Sequence, residues 1–211
     1  MKLYMHPAAC SLSPHIVMRE LGLPVELVAV DRKTHRTADG RDYLAINGNG
    51  YVPVLGLEDG STIMEGPAIV QFLADQRPEA GLLPPPGSGE RLRVQIWLNF
   101  ITSELHKPMA MLFSPAYAPA GTALQLVTQL AGSFLTGERF TVADAYLFVC
   151  LNWSPWLGID LVRWPALAAF VRRVAQRPKV QEALAAEDLV PRDRTGIFFA
   201  PRAMVAEEVR P

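Results

Sequence analysis

Four groups of residues have the types and spacing to do chemistry. The first is Cys10, which follows Pro7-Ala8-Ala9 and stands at the start of a predicted helix. Unpaired N–H donors and a partial positive charge at a helix N-terminus favour thiolate. That placement predicts a thiol pKa below the free value of about 8.5. A small cysteine buried in a turn has the same appearance, and position alone weighs the two readings evenly. The second is a polar stripe on the helix expected over residues 90–112. At 3.6 residues per turn Asn99, Ser103 and His106 fall within about 60° of one another. Glu104 instead enters the apolar arc of Val94, Ile96, Trp97, Leu98, Phe100, Ile101 and Leu105, so this helix is expected to be buried on several sides. Either Glu104 pairs with Lys107 one turn on or it faces an interface or ligand. Pro108 cannot donate to the Glu104 carbonyl, so the helix should loosen around 104–107.

The third group is Val52-Pro53, an X-Pro step just before a strand, where a cis bond would expose the backbone of Val52 to a peptide-like ligand. The fourth is Glu65-Gly66 at a helix start, with free N–H groups for a carboxylate and a side chain for an ammonium. A ligand with a peptide backbone, a carboxylate and an α-amino group suits both. Cys150 sits mid-helix among Phe148, Val149 and Leu151 and reads as buried and inert. His6, His15 and His35 have no metal-site spacing, and no metal is expected.

These residues need elements to place them. Residues 2–5 and 25–30 read as strands, Ser11 to Leu21 as a helix stopped by Gly22. Residues 52–57 and 61–64 read as a hairpin through Asp59-Gly60, followed by a helix from Glu65-Gly66-Pro67 to Gln76. The order β-α-β, connection, β-β-α is an α/β unit over residues 1–80. The stretch 81–89, with Pro84-Pro85-Pro86, reads as a linker. Helices are expected over 90–112, 122–135, 142–157 and 165–185. Thr141 with Asp144 predicts a capping box. Residues 190–211 have another character: a disordered terminus, or a tail whose Ile197-Phe198-Phe199 docks in a groove.

Composition narrows the classes. The chain has 211 residues, half of them hydrophobic, enough for one large or two small domains. Its net charge of −1 speaks against counterion-driven nucleic-acid binding. Two separated cysteines, no apolar leader and no run long enough to span a bilayer point to a soluble, cytoplasmic protein with free thiols.

Several stretches together resemble one family: MKLYMHPAACSLSPHIVMRELGL, YLAINGNGYVPVL at 43–55, MEGPAIVQFLAD, WLNFITSELHKPM and GERFTVADAYLF. They resemble bacterial β-class glutathione S-transferases over residues 1–112 and about 137–189. The resemblance implies a thioredoxin-like N-terminal domain, an all-helical C-terminal domain over 90–189 and a homodimer. Glutathione would lie in the cleft as co-substrate, and small hydrophobic electrophiles would enter from the helical domain. By the same resemblance Cys10 and His106 are the catalytic pair. Val52 makes the backbone contact beside a cis Pro53. Glu65 and Gly66 hold the γ-glutamyl end, and Asn99, Ser103 and Glu104 complete the glutathione site, Asn99 and Glu104 across the dimer interface. The chain departs from the family at His35-Arg36 and Asn49, where a basic contact is expected, and in a segment 113–136 that looks short. Two further readings stay open: thiol–disulfide exchange through a Cys10 mixed disulfide, as in a monothiol glutaredoxin, and a non-catalytic binder of glutathione, hydrophobic ligands or proteins.

Overall fold

The computed structural model describes residues 1–112, 133–192 and 198–208. Four strands form a mixed sheet in the order β2-β1-β3-β4: β1 (Lys2–Met5), β2 (Glu26–Ala29), β3 (Val54–Gly56) and β4 (Thr62–Met64). β1 and β2 run parallel, with Lys2 opposite Glu26. A parallel pair needs a crossover, and helix α1 (Leu12–Glu20) supplies it. The other pairs are antiparallel, Tyr4 opposite Val54 and Leu55 opposite Ile63. The hairpin turns at Asp59-Gly60, where Gly60 takes a φ of 85° and the Asp59 carboxylate accepts the Ser61 N–H at 2.9 Å.

The two-residue strand period divides the side chains. Leu3, Met5 and Leu55 face α1 and α2 (Gly66–Asp75); Tyr4, Val28 and Val54 face the other way, around a buried Tyr43. The Tyr43 hydroxyl and the Asn47 amide both donate to the Tyr51 carbonyl at 2.7 Å, which fixes the chain just before Val52. α1 stops at Gly22, with a φ of 63°. The Leu23 N–H returns to the Met18 carbonyl at 3.0 Å, closing a left-handed cap.

Beyond the proline-rich stretch, Ser88 caps α3 (Gly89–Phe100) by accepting the Arg91 N–H at 3.1 Å. A π-helical turn over Ile101–His106 and α4 (Lys107–Leu112) continue it. The Lys107 N–H bonds the Thr102 carbonyl, five residues back. The loosening expected from Pro108 is therefore a widened turn. Burial follows one stripe, Val94, Leu98, Ile101, Leu105 and Met109, while Leu92 and Ile96 are exposed. Among the described residues the burial runs along this one side and not on several, and Ile96 is left exposed.

α5 (Val142–Asn152) is buried along its whole length and takes α1 against it. It ends before the expected residue 157, in a 3-10 turn over Ser154–Leu157 that contains Pro155. The single helix expected over 165–185 is two, α6 (Pro165–Ala175) and α7 (Pro178–Ala186). Pro178 cannot donate within a helix, and Arg177 before it is extended at φ −68°, ψ 130°. Of the helix expected over 122–135, residues up to 132 lie outside the described ones; Phe134 makes a bridge to Gly137. α1 also packs on α7. Bidentate pairs join Arg177 to Glu20 (2.6 and 2.9 Å) and Arg91 to Asp75 (2.8 and 2.9 Å).

The tail folds back. β5 (Leu189–Pro191) pairs antiparallel with β6 (Phe199–Pro201), and α8 (Arg202–Glu208) follows. Phe198 and Phe199 are buried in the main core, so two of the three apolar tail residues dock; Ile197 lies outside the described residues. Asn152 treats Phe199 as a strand partner would: its amide donates to the Phe199 carbonyl at 2.8 Å and its oxygen accepts the Phe199 N–H at 2.9 Å. Any change that undocks the tail loses the same docking free energy. Phe199→Ala and a chain ended at Arg192 should therefore each lose about 2 kcal/mol in urea unfolding, with no further loss on combining them with Asn152→Leu. A shortened chain as stable as the full one would show that the docking carries no stability.

Candidate functional site

Cys10 sits in the loop between β1 and α1, half-buried, and its Sγ donates to the Val52 carbonyl at 3.2 Å. This loop is gripped from the helical part. Ala8, at a φ of 62° that only glycine adopts freely, donates its N–H to Glu187 Oε2 at 3.1 Å. Its carbonyl accepts the Trp153 indole N–H at 2.9 Å. Ser11, buried at the end of the loop, accepts the His6 N–H at 3.2 Å and donates to the His6 carbonyl at 3.1 Å.

The expected lowering of the Cys10 pKa is corrected by this setting. Burial pushes the thiol up to about 11; backbone hydrogen bonding and the Arg32 charge act the other way and are outweighed. The partial charge of a helix that begins only at Leu12 does not offset desolvation. Cys10 is a neutral thiol donor in this geometry. Cys150 is fully buried and burial pushes its thiol well up too, as befits an inert position.

His106 ends the π-helical turn, half-buried. Its Nδ1 is hydrogen-bonded to the Tyr146 hydroxyl from α5. Its ring meets those of Tyr146 and Trp153 edge-on, with centroids 5.6 and 5.2 Å apart. Burial, helped by the neighbouring Lys107 charge, lowers its pKa to about 4. The imidazole is therefore neutral at pH 7. Trp153 touches both the His106 ring and the Ala8 carbonyl, so it ties His106 to the Cys10 loop.

The Val52-Pro53 bond is cis. Beside it α2 begins, and a Cβ on Gly66 would stand 4.0 Å from the Pro53 ring. Glu65 precedes this helix with an exposed side chain and a φ of 68°; its carbonyl accepts the Ala68 and Ile69 N–H groups at 3.0 Å. Cys10, Val52, Pro53, Glu65 and Gly66 thus gather at one end of the sheet. Asn99, Ser103 and Glu104 do not join them within this chain: all three are exposed, and Ser103 donates to the Asn99 carbonyl at 3.2 Å. The widened turn separates them from His106, which faces α5. Arg36 donates to the Gly40 carbonyl at 2.9 Å, and the His35 ring closes over Gly50, where a Cβ would lie 2.7 Å away.

Sequence reasoning missed Tyr146, Trp153, His15 and Glu187, whose partners lie far along the chain. The expected capping box is present. Asp144 accepts the Thr141 N–H and hydroxyl and the Leu135 N–H, each at 2.8 Å, while burial still raises its pKa to about 6. Among the described residues no group of three His, Cys, Asp or Glu side chains is placed to hold a metal ion. No helix among them is long and apolar enough to cross a membrane.

Comparison with known proteins reaches both halves of the chain. Residues 9–76 match the glutathione S-transferase N-terminal domain model and residues 123–178 the C-terminal domain model. Glutathione S-transferase GstA of Escherichia coli O157:H7 is 44% identical over 200 residues, covering 90% of this chain and 100% of that protein. A solved ternary complex of BphK, a bacterial glutathione transferase, superposes with a TM-score of 0.87 at 52% identity, over 90% of this chain and 100% of that one. A sphingomonad glutathione S-transferase complexed with glutathione gives 0.83 at 43%, over 89% and 98%. With a thioredoxin-like sheet domain, a helical domain and relatives matched over nearly their whole length, the chain belongs to the glutathione S-transferase family, on its bacterial β-class side, and is an enzyme of that kind.

Proposed function

We propose that this transferase binds glutathione extended across the end of the sheet and joins its sulfur to small hydrophobic electrophiles entering from the helical domain. The observation that carries the reading is the Cys10 thiol on the Val52 carbonyl, 3.2 Å away, beside the Glu65-Gly66 helix start. Val52 N–H and C=O pair with the ligand's cysteinyl backbone as one more strand would. The ligand's N–H takes over the Val52 carbonyl and frees the Cys10 S–H to point at the ligand sulfur. Gly66 N–H meets the γ-glutamyl carboxylate, and Glu65 its ammonium. The bound thiol gives its proton to solvent. Its sulfur pair then forms a C–S bond as the leaving group departs with its bonding electrons, or as the electrophile's π pair moves onto the neighbouring atom, which takes a proton from solvent. Neutral donors, Cys10 and His106, hold the thiolate without needing a charge of their own.

The working form is a cytoplasmic homodimer with a detoxifying role. Leu92, Ile96, Tyr51 and Met64 are large exposed apolar side chains, and a second copy would cover them. Asn99, Ser103 and Glu104, exposed on the same long helix, would then serve the partner's glutathione. The division into residues 1–80, a linker over 81–89, a helical domain over 90–189 and a tail over 190–211 belongs to the same reading. The test is Glu65→Ala. Losing one charge-assisted pair should weaken glutathione binding about tenfold in calorimetry. Unchanged affinity would place the γ-glutamyl end elsewhere.

A further inference from the structure

Tyr146 is buried on α5, with its hydroxyl on Nδ1 of His106. Burial pushes this phenol well above its ordinary value, so it keeps its proton. The imidazole is neutral as well, so one proton lies between the two groups. Either the phenol donates to a bare Nδ1, or Nδ1–H donates to the phenol oxygen. In the second arrangement the buried phenol proton needs another acceptor. Among the described residues the other group bonded to the phenol is the Thr102 hydroxyl, whose own proton goes to the Leu98 carbonyl at 2.8 Å. An alcohol oxygen is a far weaker base than an imidazole nitrogen, so the phenol proton goes to Nδ1. The other ring nitrogen must then carry the imidazole's hydrogen.

We propose that Tyr146 is a positioning residue that holds His106 as its Nε2–H tautomer, so that the ring offers a neutral N–H to the sulfur of bound glutathione. The proposal rests on the transferase reading and adds to it the proton's place and the residue that sets it. The edge-on contacts with Tyr146 and Trp153 hold the plane of the ring, and the hydroxyl settles which nitrogen is protonated. Because His106 does not gain a charge near neutrality, this donor persists across the physiological pH range.

The experiment compares wild type, Tyr146→Phe, His106→Ala and the double variant, all as full chains with glutathione. Imidazole nitrogen shifts should give a bare Nδ1 and a protonated Nε2 in wild type, and a mixture of tautomers in Tyr146→Phe. Tyr146→Phe should raise the thiol pKa of bound glutathione, read from thiolate absorbance. It should lower kcat about five- to tenfold with KM for glutathione within about twofold, and have no further effect on His106→Ala. A protonated Nδ1 in wild type overturns the proposal. So does a Tyr146→Phe loss of equal size in the His106→Ala background. Wild type that binds glutathione yet conjugates no electrophile overturns the transferase reading instead, and the nitrogen shifts still decide the tautomer. They decide it from wild type alone should Tyr146→Phe not fold.

Discussion

Glu187→Ala is expected to destabilise the fold by about 2–5 kcal/mol in urea unfolding, the cost of leaving two buried donors unpaired. Glu187 stands at the end of α7, 3% exposed. Its Oε2 accepts the Ala8 N–H at 3.1 Å and its Oε1 accepts the His15 Nδ1–H at 2.8 Å. The His15 proton is placed by its neighbour: Arg19 Nε–H donates to His15 Nε2 at 3.2 Å, so Nδ1 carries the hydrogen. His15 is fully buried, so bulk water does not reach its freed N–H, and a single water restores a partner only by filling the space the shorter side chain leaves. The same substitution frees Ala8 from one of the two bonds that hold its φ of 62°, a conformation about 1–2 kcal/mol above the right-handed one for a residue with a Cβ. Ala8→Gly should thus recover about 1 kcal/mol in the Glu187→Ala background by removing that penalty. Glu187→Gln, which keeps one acceptor, should fall between wild type and Glu187→Ala. A Glu187→Ala loss below about 0.5 kcal/mol, within the range of ordinary surface changes, would mean that this carboxylate does not hold the Cys10 loop.

What the chain disclosed before folding, and what it withheld, divides by range. Gly22 as a stop, the Asp59-Gly60 turn, the Thr141–Asp144 box and the disturbance before Pro108 all depend on neighbours a few residues away, and all appear. The break at Pro178 was equally local. The apolar period of Leu167, Phe170, Val171 and Val174 resumes at Val180, Ala183 and Leu184, and it hid the proline between them. Other features have no local signature. Tyr146 looks like one more apolar residue in a buried run, and its partner is 40 residues away. Trp153 reaches 145 residues to Ala8, and Glu187 reaches 179 to the same residue. The stripe of Asn99, Ser103 and His106 failed for a geometric reason. An even 3.6-residue pitch puts the three on one face, and the π-helical turn rotates His106 away from the other two. Cys10 failed for an energetic one: a helix start is visible in sequence, whereas desolvation depends on what packs around it.

That sign change yields the last expectation. At about pH 7.5, a thiol near pH 11 has about 300-fold less thiolate than a free one near 8.5. Its thiolate is intrinsically more nucleophilic, which returns about a factor of ten. Iodoacetamide should therefore alkylate Cys10 about 30-fold more slowly than an exposed cysteine, as followed on the Cys10 peptide by mass spectrometry. The rate should climb about tenfold per pH unit without levelling below about pH 10. A plateau near pH 8 would restore the thiolate that position alone suggested. The result also weighs the disulfide-exchange reading. A mixed disulfide with glutathione forms when a Cys10 thiolate attacks oxidised glutathione and releases a glutathione thiolate. A thiol held neutral by burial is a poor attacking group, so little Cys10 adduct should accumulate with oxidised glutathione. Conjugation makes no such demand on Cys10. The attacking sulfur is the ligand's, and a neutral S–H beside it lowers the ligand's own thiol pKa by hydrogen bonding to the charged form.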